Sequence, residues 1–459
     1  MKQSRRRKSS RETAARLEVP EYDARVVVKF CDDIALPYDD SVEQHLDRLP
    51  GRVWQKLKEQ FPGISIRVLF NAVTPTRIRQ LVDEAVRQDE IYRPPNFLSY
   101  FVIDFPAEVN EEQLVSELSR WKLVQTAYFD PPGENPSTSP DDPRMGNQGY
   151  LNPAPDGIDA KYARGFLGGD GAGQQVIDLE KGWTLDHEDL IAHGANLLYG
   201  SIVDTSRPHG TSVLGVICAT ANKVGGVGIA PEVASVNVVS HSGIKSTIPG
   251  AILAAIDKLP DGGVLLLEVQ RLWLPTETML ADFDMIGLAI ARGVTVVEAA
   301  GNGGFDLDNF KDAEGYRVLN RGDSAFRDSG AIMVAAASST VKHERMNLSN
   351  FGSRIDCYAW GENVDCPTST ITTPFSKMQY TRTFQGTSSA AAIIAGAALL
   401  AQGMARAGRG PLNPQQMRDL LRNPATGTES KNPATEWIGV MPDFLKIISS
   451  NALGSVPTV

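Results

Sequence analysis

Cysteine is scarce in this chain. Cys31, Cys218, Cys357 and Cys366 are the 4 in 459 residues, too sparse for a disulfide framework, and no CxxC pair suggests zinc. A positive charge balance is lacking as well. With 45 Lys and Arg against 55 Asp and Glu the formal charge is -10, which gives nucleic-acid binding no support outside the basic tail Lys2, Arg5, Arg6, Arg7, Lys8, Arg11 and Arg16. With only polar residues around it, that tail reads as a solvated extension. Long apolar runs are also missing. The first 29 residues contain none of the roughly 7–15 consecutive apolar residues a secretory signal needs, and the longest small-apolar stretch, residues 390–401, falls short of the roughly 18 needed to cross a bilayer. The expectations are a cytoplasmic protein with no membrane span and no nucleic-acid partner.

What is present is a globular composition, 42% hydrophobic and 22% charged, over a length that allows about two to four domains of roughly 100–200 residues. After the tail (1–22), strand-like RVVVKF, ISIRVLF, SYFVIDF and VQTAYFD alternate with helical segments at 42–60, 75–88 and 110–121. Leu114, Leu118 and Trp121 stand at helical spacing in the last of these. This predicts a small open-faced α/β domain over 23–130. Residues 131–147, PPGENPSTSPDDPRMGN, hold five prolines and no apolar periodicity, and read as a linker. From 148 to 450, the apolar runs QQVID, NLLYG, SVNVVS, VLLLEV, TVVEAA and AIMVAAA alternate with helices. That pattern predicts one large domain with a parallel sheet between helix layers, followed by a tail at 451–459.

Four segments of the large domain carry chemistry. Asp178 closes the strand Gln-Val-Ile-Asp, at the sheet edge where open α/β folds place their sites; its bland alternative is a helix cap. His209, in His-Gly-Thr-Ser, presents an imidazole at a helix start, where a structural histidine is the commoner reading. Ser388, in Gly-Thr-Ser-Ser-Ala-Ala, sits at the positive end of an Ala-rich helix, where it is either an N-cap or a nucleophile. Asn302, in Ala-Ala-Gly-Asn-Gly-Gly, follows an apolar strand and can donate a side-chain hydrogen bond to an oxyanion. Each is weak alone; their joint order in one domain is not accidental.

On these residues the domain resembles a subtilisin-like serine protease of the peptidase S8 (subtilase) family, with Asp178, His209 and Ser388 in that family's triad order. Asn147-Gln-Gly-Tyr150, Gly169-Asp-Gly-Ala-Gly-Gln174, His187-Glu-Asp-Leu190, Ala221 to Pro231, Asn350-Phe-Gly352 and Ile438-Gly-Val-Met-Pro442 extend the resemblance to about residues 147–450. It implies a subtilisin-like three-layer sandwich with a central parallel sheet, preceded by a small ferredoxin-like α/β domain. It also implies peptide-bond hydrolysis through an acyl-enzyme, with Asn302 in the oxyanion hole and polypeptide substrates lying against Glu268, Val269, Gln270, Ala300 and Gly301. The N-terminal domain resembles the family's inhibitory propeptide, which would make it an intramolecular inhibitor released by cleavage in the linker; a permanent interaction domain is the alternative. No cofactor is needed for the chemistry. The resemblance places Asp189 and Asn222 at a structural calcium site, against the alternative of two polar loop residues with no ion.

The chain departs from the family pattern in places. Leu179-Glu180 stands where Ser/Thr-Gly is usual, bringing a second carboxylate near the triad. Glu268-Val-Gln270 replaces Ser-Leu-Gly, so the Gln270 side chain is expected to protrude into the specificity pocket. Cys357 and Cys366 are near enough in sequence to pair, but the cytoplasmic reading favours free thiols. Two other classes compete: a catalytically silent subtilisin-fold regulatory protein, and a dinucleotide-binding oxidoreductase. For the second, Gly168-Gly-Asp-Gly-Ala-Gly173 precedes its strand instead of following one and lacks the required spacing.

Overall fold

The computed structural model describes residues 25–49, 51–88, 91–106, 109–130 and 142–459. The basic tail and residues 131–141 of the expected linker lie outside the described residues. The chain divides into two compact units, residues 1–135 and 136–459.

The first unit runs β1 (Arg25–Phe30), α1 (Val42–Asp47), α2 (Val53–Gln60), β2 (Ser65–Val68), α3 (Pro75–Gln88), β3 (Tyr100–Asp104), α4 (Glu111–Ser119), β4 (Val124–Asp130). Its antiparallel sheet has the order β2-β3-β1-β4, the ferredoxin-like arrangement of two split β-α-β halves. Alternate residues Val26, Val28 and Phe30 of β1 meet Leu114, Leu118 and Trp54 of the helices in one core, as a period of two requires.

The second unit contains α5 (Ala160–Ala163), β5 (Gln175–Glu180), β6 (Asn196–Tyr199), α6 (Arg207–Cys218), β7 (Ser235–Ser240), α7 (Ile248–Lys258), β8 (Val264–Leu267), β9 (Gln270–Arg271), β10 (Leu274–Pro275), α8 (Leu280–Ala291), β11 (Thr295–Ala299), β12 (Ile332–Ala337), β13 (Cys357–Trp360), β14 (Val364–Thr368), β15 (Gln379–Phe384), α9 (Thr387–Gly408), α10 (Pro414–Leu421), β16 (Gly427–Glu429), β17 (Val440–Pro442) and α11 (Phe444–Ser449). Nine strands form one sheet, β16-β17-β13-β12-β11-β8-β5-β7-β6, parallel throughout except where β16 runs against β17. Two cores divide its faces. Val176, Val264 and Leu266 pack with α6 and α9, whereas Ile177, Leu179, Leu265 and Leu267 pack with α7 and α8. The result is the three-layer sandwich the sequence implies.

Both segment ends differ from expectation. Residues 142–147 belong to the second unit: Arg144 donates to both carboxylate oxygens of Asp365 at 2.7 and 2.9 Å, and its backbone N–H bonds the Gly225 carbonyl. The expected tail at 451–459 is also packed, with Leu453 fully buried and the Val459 N–H bonded to Gly165. Helix α9 is the one described helix long and apolar enough to cross a membrane, and 94% of its apolar window is buried inside this fold. The four cysteines are free thiols.

Candidate active site

Side chains alternate along β5, so Val176, Asp178 and Glu180 share the face towards α6 while Ile177 and Leu179 face the opposite core. Asp178 lies within the sheet, level with Val238 of β7 and Leu266 of β8. It is fully buried, and its Oδ2 accepts the Trp183 indole N–H at 2.6 Å. Glu180 ends the strand. Its Oε2 lies 2.5 Å from His209 Nδ1.

The sequence expectation that Asp178 serves His209 is therefore corrected: the carboxylate on the imidazole is that of Glu180. Leu179 continues the apolar run, so the strand reaches the sheet edge at 180 and not at 178. Gly210, directly after the histidine, makes room for the longer acid, since a Cβ there would collide with Glu180 Oε1 and the Trp183 ring. Neither the continued run Ile-Asp-Leu-Glu nor the His-Gly pair says by itself which of the two acids meets the imidazole.

His209 is held at the start of α6, its imidazole edge-on to Phe384 with centroids 5.5 Å apart. Arg207 anchors the helix start by donating to the Trp183 carbonyl at 2.6 Å. Thr211 links the same turn to Thr184, whose N–H it accepts at 2.9 Å. Ser388 is the second residue of α9, entered through Gly386 at φ 95°, a left-handed conformation that glycine adopts without penalty.

Asn302 Oδ1 accepts from the Thr387 N–H at 2.9 Å and the Thr387 hydroxyl at 3.1 Å, which commits its oxygen and leaves its NH2 to act as donor. Its backbone N–H donates to Gln270 Oε1 at 2.9 Å. Gln270 thus lines the cavity, as the sequence suggests, but its side chain is tied to the Asn302 loop. Buried Asn350 pins that loop, donating to the Ala300 and Trp273 carbonyls and accepting from the N–H groups of Gly303 and Phe305.

A cavity of ≈ 300 Å³ brings His209, Glu268, Val269, Gln270, Asn302 and Ser388 to one place. Of the other expected substrate contacts, Ala300 and Gly301 do not line it; Ala299 and Asn302 form that wall. Ala300 is buried beneath, and Gly301 leaves space for the Trp273 carbonyl.

Three buried carboxyls crowd this centre. Burial pushes Asp178 well above the ordinary carboxylate range, and Glu180 adds to the shift. Burial likewise raises Glu180, with Lys181 opposing it. Glu268 is raised by burial, with the neighbouring His209 opposing. Carboxyls packed this closely do not all ionise. The negative charge is best placed on Glu180, which has both the imidazole and Lys181 near it.

Asp189 and Asn222 do meet, but not as a cation cage. Asn222 turns its NH2 towards Asp189 Oδ1 at 3.3 Å while its own oxygen accepts the Val224 N–H at 3.1 Å. The Gly226 N–H faces Asp189 Oδ2. Donors occupy the positions where calcium requires oxygens, so these residues do not fit the ion, and no metal-ligating cluster of three or more His, Cys, Asp or Glu occurs among the described residues.

Parallel sheet, flanking helices and a strand-edge site with Ser, His and carboxylate together define a subtilisin-like α/β fold. A protease from Pseudoalteromonas arctica matches the fold with a TM-score of 0.50 and 21% identity, over 68% of this chain and 99% of that one. The subtilase-family profile matches residues 276–437, a stretch that includes Asn302 and Ser388. "Subtilisin-like protease 3" of Arthroderma otae is 28% identical over 304 residues, 64% of this chain and 68% of the relative. "Subtilisin Savinase" of Lederbergia lenta is 29% identical over 284 residues, 60% of this chain and 90% of that protein. These matches make the chain similar to subtilases, and it is a serine-type endopeptidase, whose substrates are polypeptides.

Proposed function

We propose that hydrolysis runs through Glu180, His209 and Ser388, with Asn302 and the Ser388 backbone N–H as oxyanion donors. The observation that carries this reading is the 2.5 Å contact between Glu180 Oε2 and His209 Nδ1, at the cavity shared with Ser388 and Asn302. Ser388 Oγ attacks the scissile carbonyl while its proton passes to His209 Nε2. Ionised Glu180 fixes the Nδ1–H tautomer and stabilises the imidazolium. The negative charge on the carbonyl oxygen is met by the Asn302 NH2, a donor of the kind worth about 10²–10³ in rate. His209 then protonates the leaving amine as the C–N bond breaks, and water repeats the sequence to release the acid.

The N-terminal unit acts in this reading as an intramolecular inhibitor. Because residues 142–147 are folded into the protease unit, self-cleavage falls after Asp130 and before Asp142.

A fluorophosphonate probe tests the core of this proposal. Wild type is expected to label covalently, Ser388→Ala and His209→Ala not at all. A wild type that fails to label after its N-terminal unit has been removed would favour the catalytically silent alternative.

A further inference from the structure

Glu268 is not used by the steps above. It follows β8 directly and is 9% exposed, and neither of its carboxyl oxygens has a well-formed hydrogen bond. It lines the catalytic cavity with Ser388 and His209. It also lines an adjoining cavity of ≈ 320 Å³ with Glu180, Lys181, His209 and His241. The Ser388 hydroxyl lines the same cavity, with no hydrogen bond formed between the two in this state.

A carboxyl in this place has two opposite effects, depending on its proton. As the acid it donates to a lone pair of Ser388 Oγ and leaves the serine hydrogen free to face His209 Nε2. As the carboxylate it can only accept, and it draws that hydrogen away from the imidazole.

We propose that Glu268 is a further catalytic residue, one that orients Ser388 Oγ towards His209 while it holds its proton and parks the nucleophile once the proton is lost. The inference rests on the serine-protease reading given above. The groups facing Glu268 are Asp178 and Glu180 from β5, His209 from α6 and Ser388 from α9, with Lys181 and His241 across the adjoining cavity. Burial dominates and raises its titration; Asp178 and Glu180 push the same way, while His209 and Ser388 oppose. The acid form therefore persists above the ordinary glutamate range, and the inhibited form appears on the alkaline side.

The test is the second-order rate of fluorophosphonate labelling of the full chain, in which Ser388 Oγ bonds to phosphorus, fluoride leaves and the serine proton goes to His209. It is read against pH between the ordinary Glu value of about 4.3 and the ordinary Lys value of about 10.4. Wild type is expected to show an alkaline fall. Glu268→Gln keeps a donor but cannot ionise, so its rate at the alkaline end should exceed that of wild type by about tenfold or more, a shift of about one pKa unit. Glu268→Ala should be slowed about tenfold at the wild-type maximum, the loss of one positioning hydrogen bond to the nucleophile.

A wild-type rate that climbs or stays level to the alkaline end overturns the proposal, with no variant needed. So does a Glu268→Gln profile that falls in parallel with wild type. If wild type labels at Ser388 while either result is found, only the role of Glu268 falls. If wild type never labels, even after its N-terminal unit has been removed, the protease reading falls with it.

Discussion

A β-strand advances about 3.3 Å per residue, so two carboxyls on the same face of β5, at 178 and 180, differ by about 6.6 Å in how far they reach towards the sheet edge. His209 stands at that edge, and the outer acid meets it. The inner one is closed off by the Trp183 indole. Glu180→Gln is accordingly expected to lower kcat by about 10³–10⁴, the scale of losing an orienting carboxylate in such triads. Asp178→Asn, which keeps an oxygen for Trp183, should stay within about tenfold of wild type. Steady-state kinetics on a peptide substrate checks both, and the reverse ranking would restore Asp178 to the triad. The residue types His209, Ser388 and Asn302 were legible from their local motifs because glycine turns at helix starts leave marks in the sequence. The choice between Asp178 and Glu180 was not, since an apolar run with two acids on one face does not announce where its sheet ends.

At the scale of elements, α9 does two jobs. Its first turn presents Ser388, and its 22 residues are almost wholly buried, so its position fixes the nucleophile against β5 and α6. Two glycines set that position. A Cβ on Gly403 would meet the backbone of Gly168, and one on Gly168 the backbone of Gly403. The glycine-rich segment from Gly168, which resembles a phosphate-binding turn, is thus explained by close approach of a helix. Gly403→Val should overpack this contact and lower stability by about 1–3 kcal/mol, read as a lower denaturant midpoint at unchanged slope. A neutral effect would mean that the turn yields.

For the whole molecule, two expectations concern processing and pH. Purified wild type should convert over time to a fragment beginning before Asp142, while Ser388→Ala remains a single intact band; identical intact bands in both would contradict self-cleavage. The pH response involves opposing groups. Buried carboxyls with raised values, such as Glu268 and Asp178, favour the fold at low pH. His241 does the reverse: burial, with Lys181 and Arg271 adding, lowers it from 6.5 to about 4. Between those values the unfolded chain binds the extra proton, so this part of the stability is present above 6.5 and lost as the pH falls towards 4. Relative to wild type, His241→Gln should gain about 1–3 kcal/mol over that interval. Urea titrations of both proteins at the two ends of the interval measure the difference; parallel curves would show that His241 titrates as it does unfolded.

By itself the sequence determined the two-unit organisation, the alternation of apolar strands and helices, and the motifs that set His209, Ser388 and Asn302 at element ends. These are properties of near neighbours in the chain, carried by periodicity and by glycine at fixed offsets. Only the tertiary structure decided which acid faces His209, that donors surround Asp189, that Ala300 and Gly301 lie behind the cavity wall, and that both ends of the second unit are packed. Each of those depends on residues tens to hundreds of positions apart: Glu180 and His209, Asp189 and Gly226, Asn302 and Thr387, Arg144 and Asp365. Such distances are set by sheet register and helix packing, which no local pattern encodes.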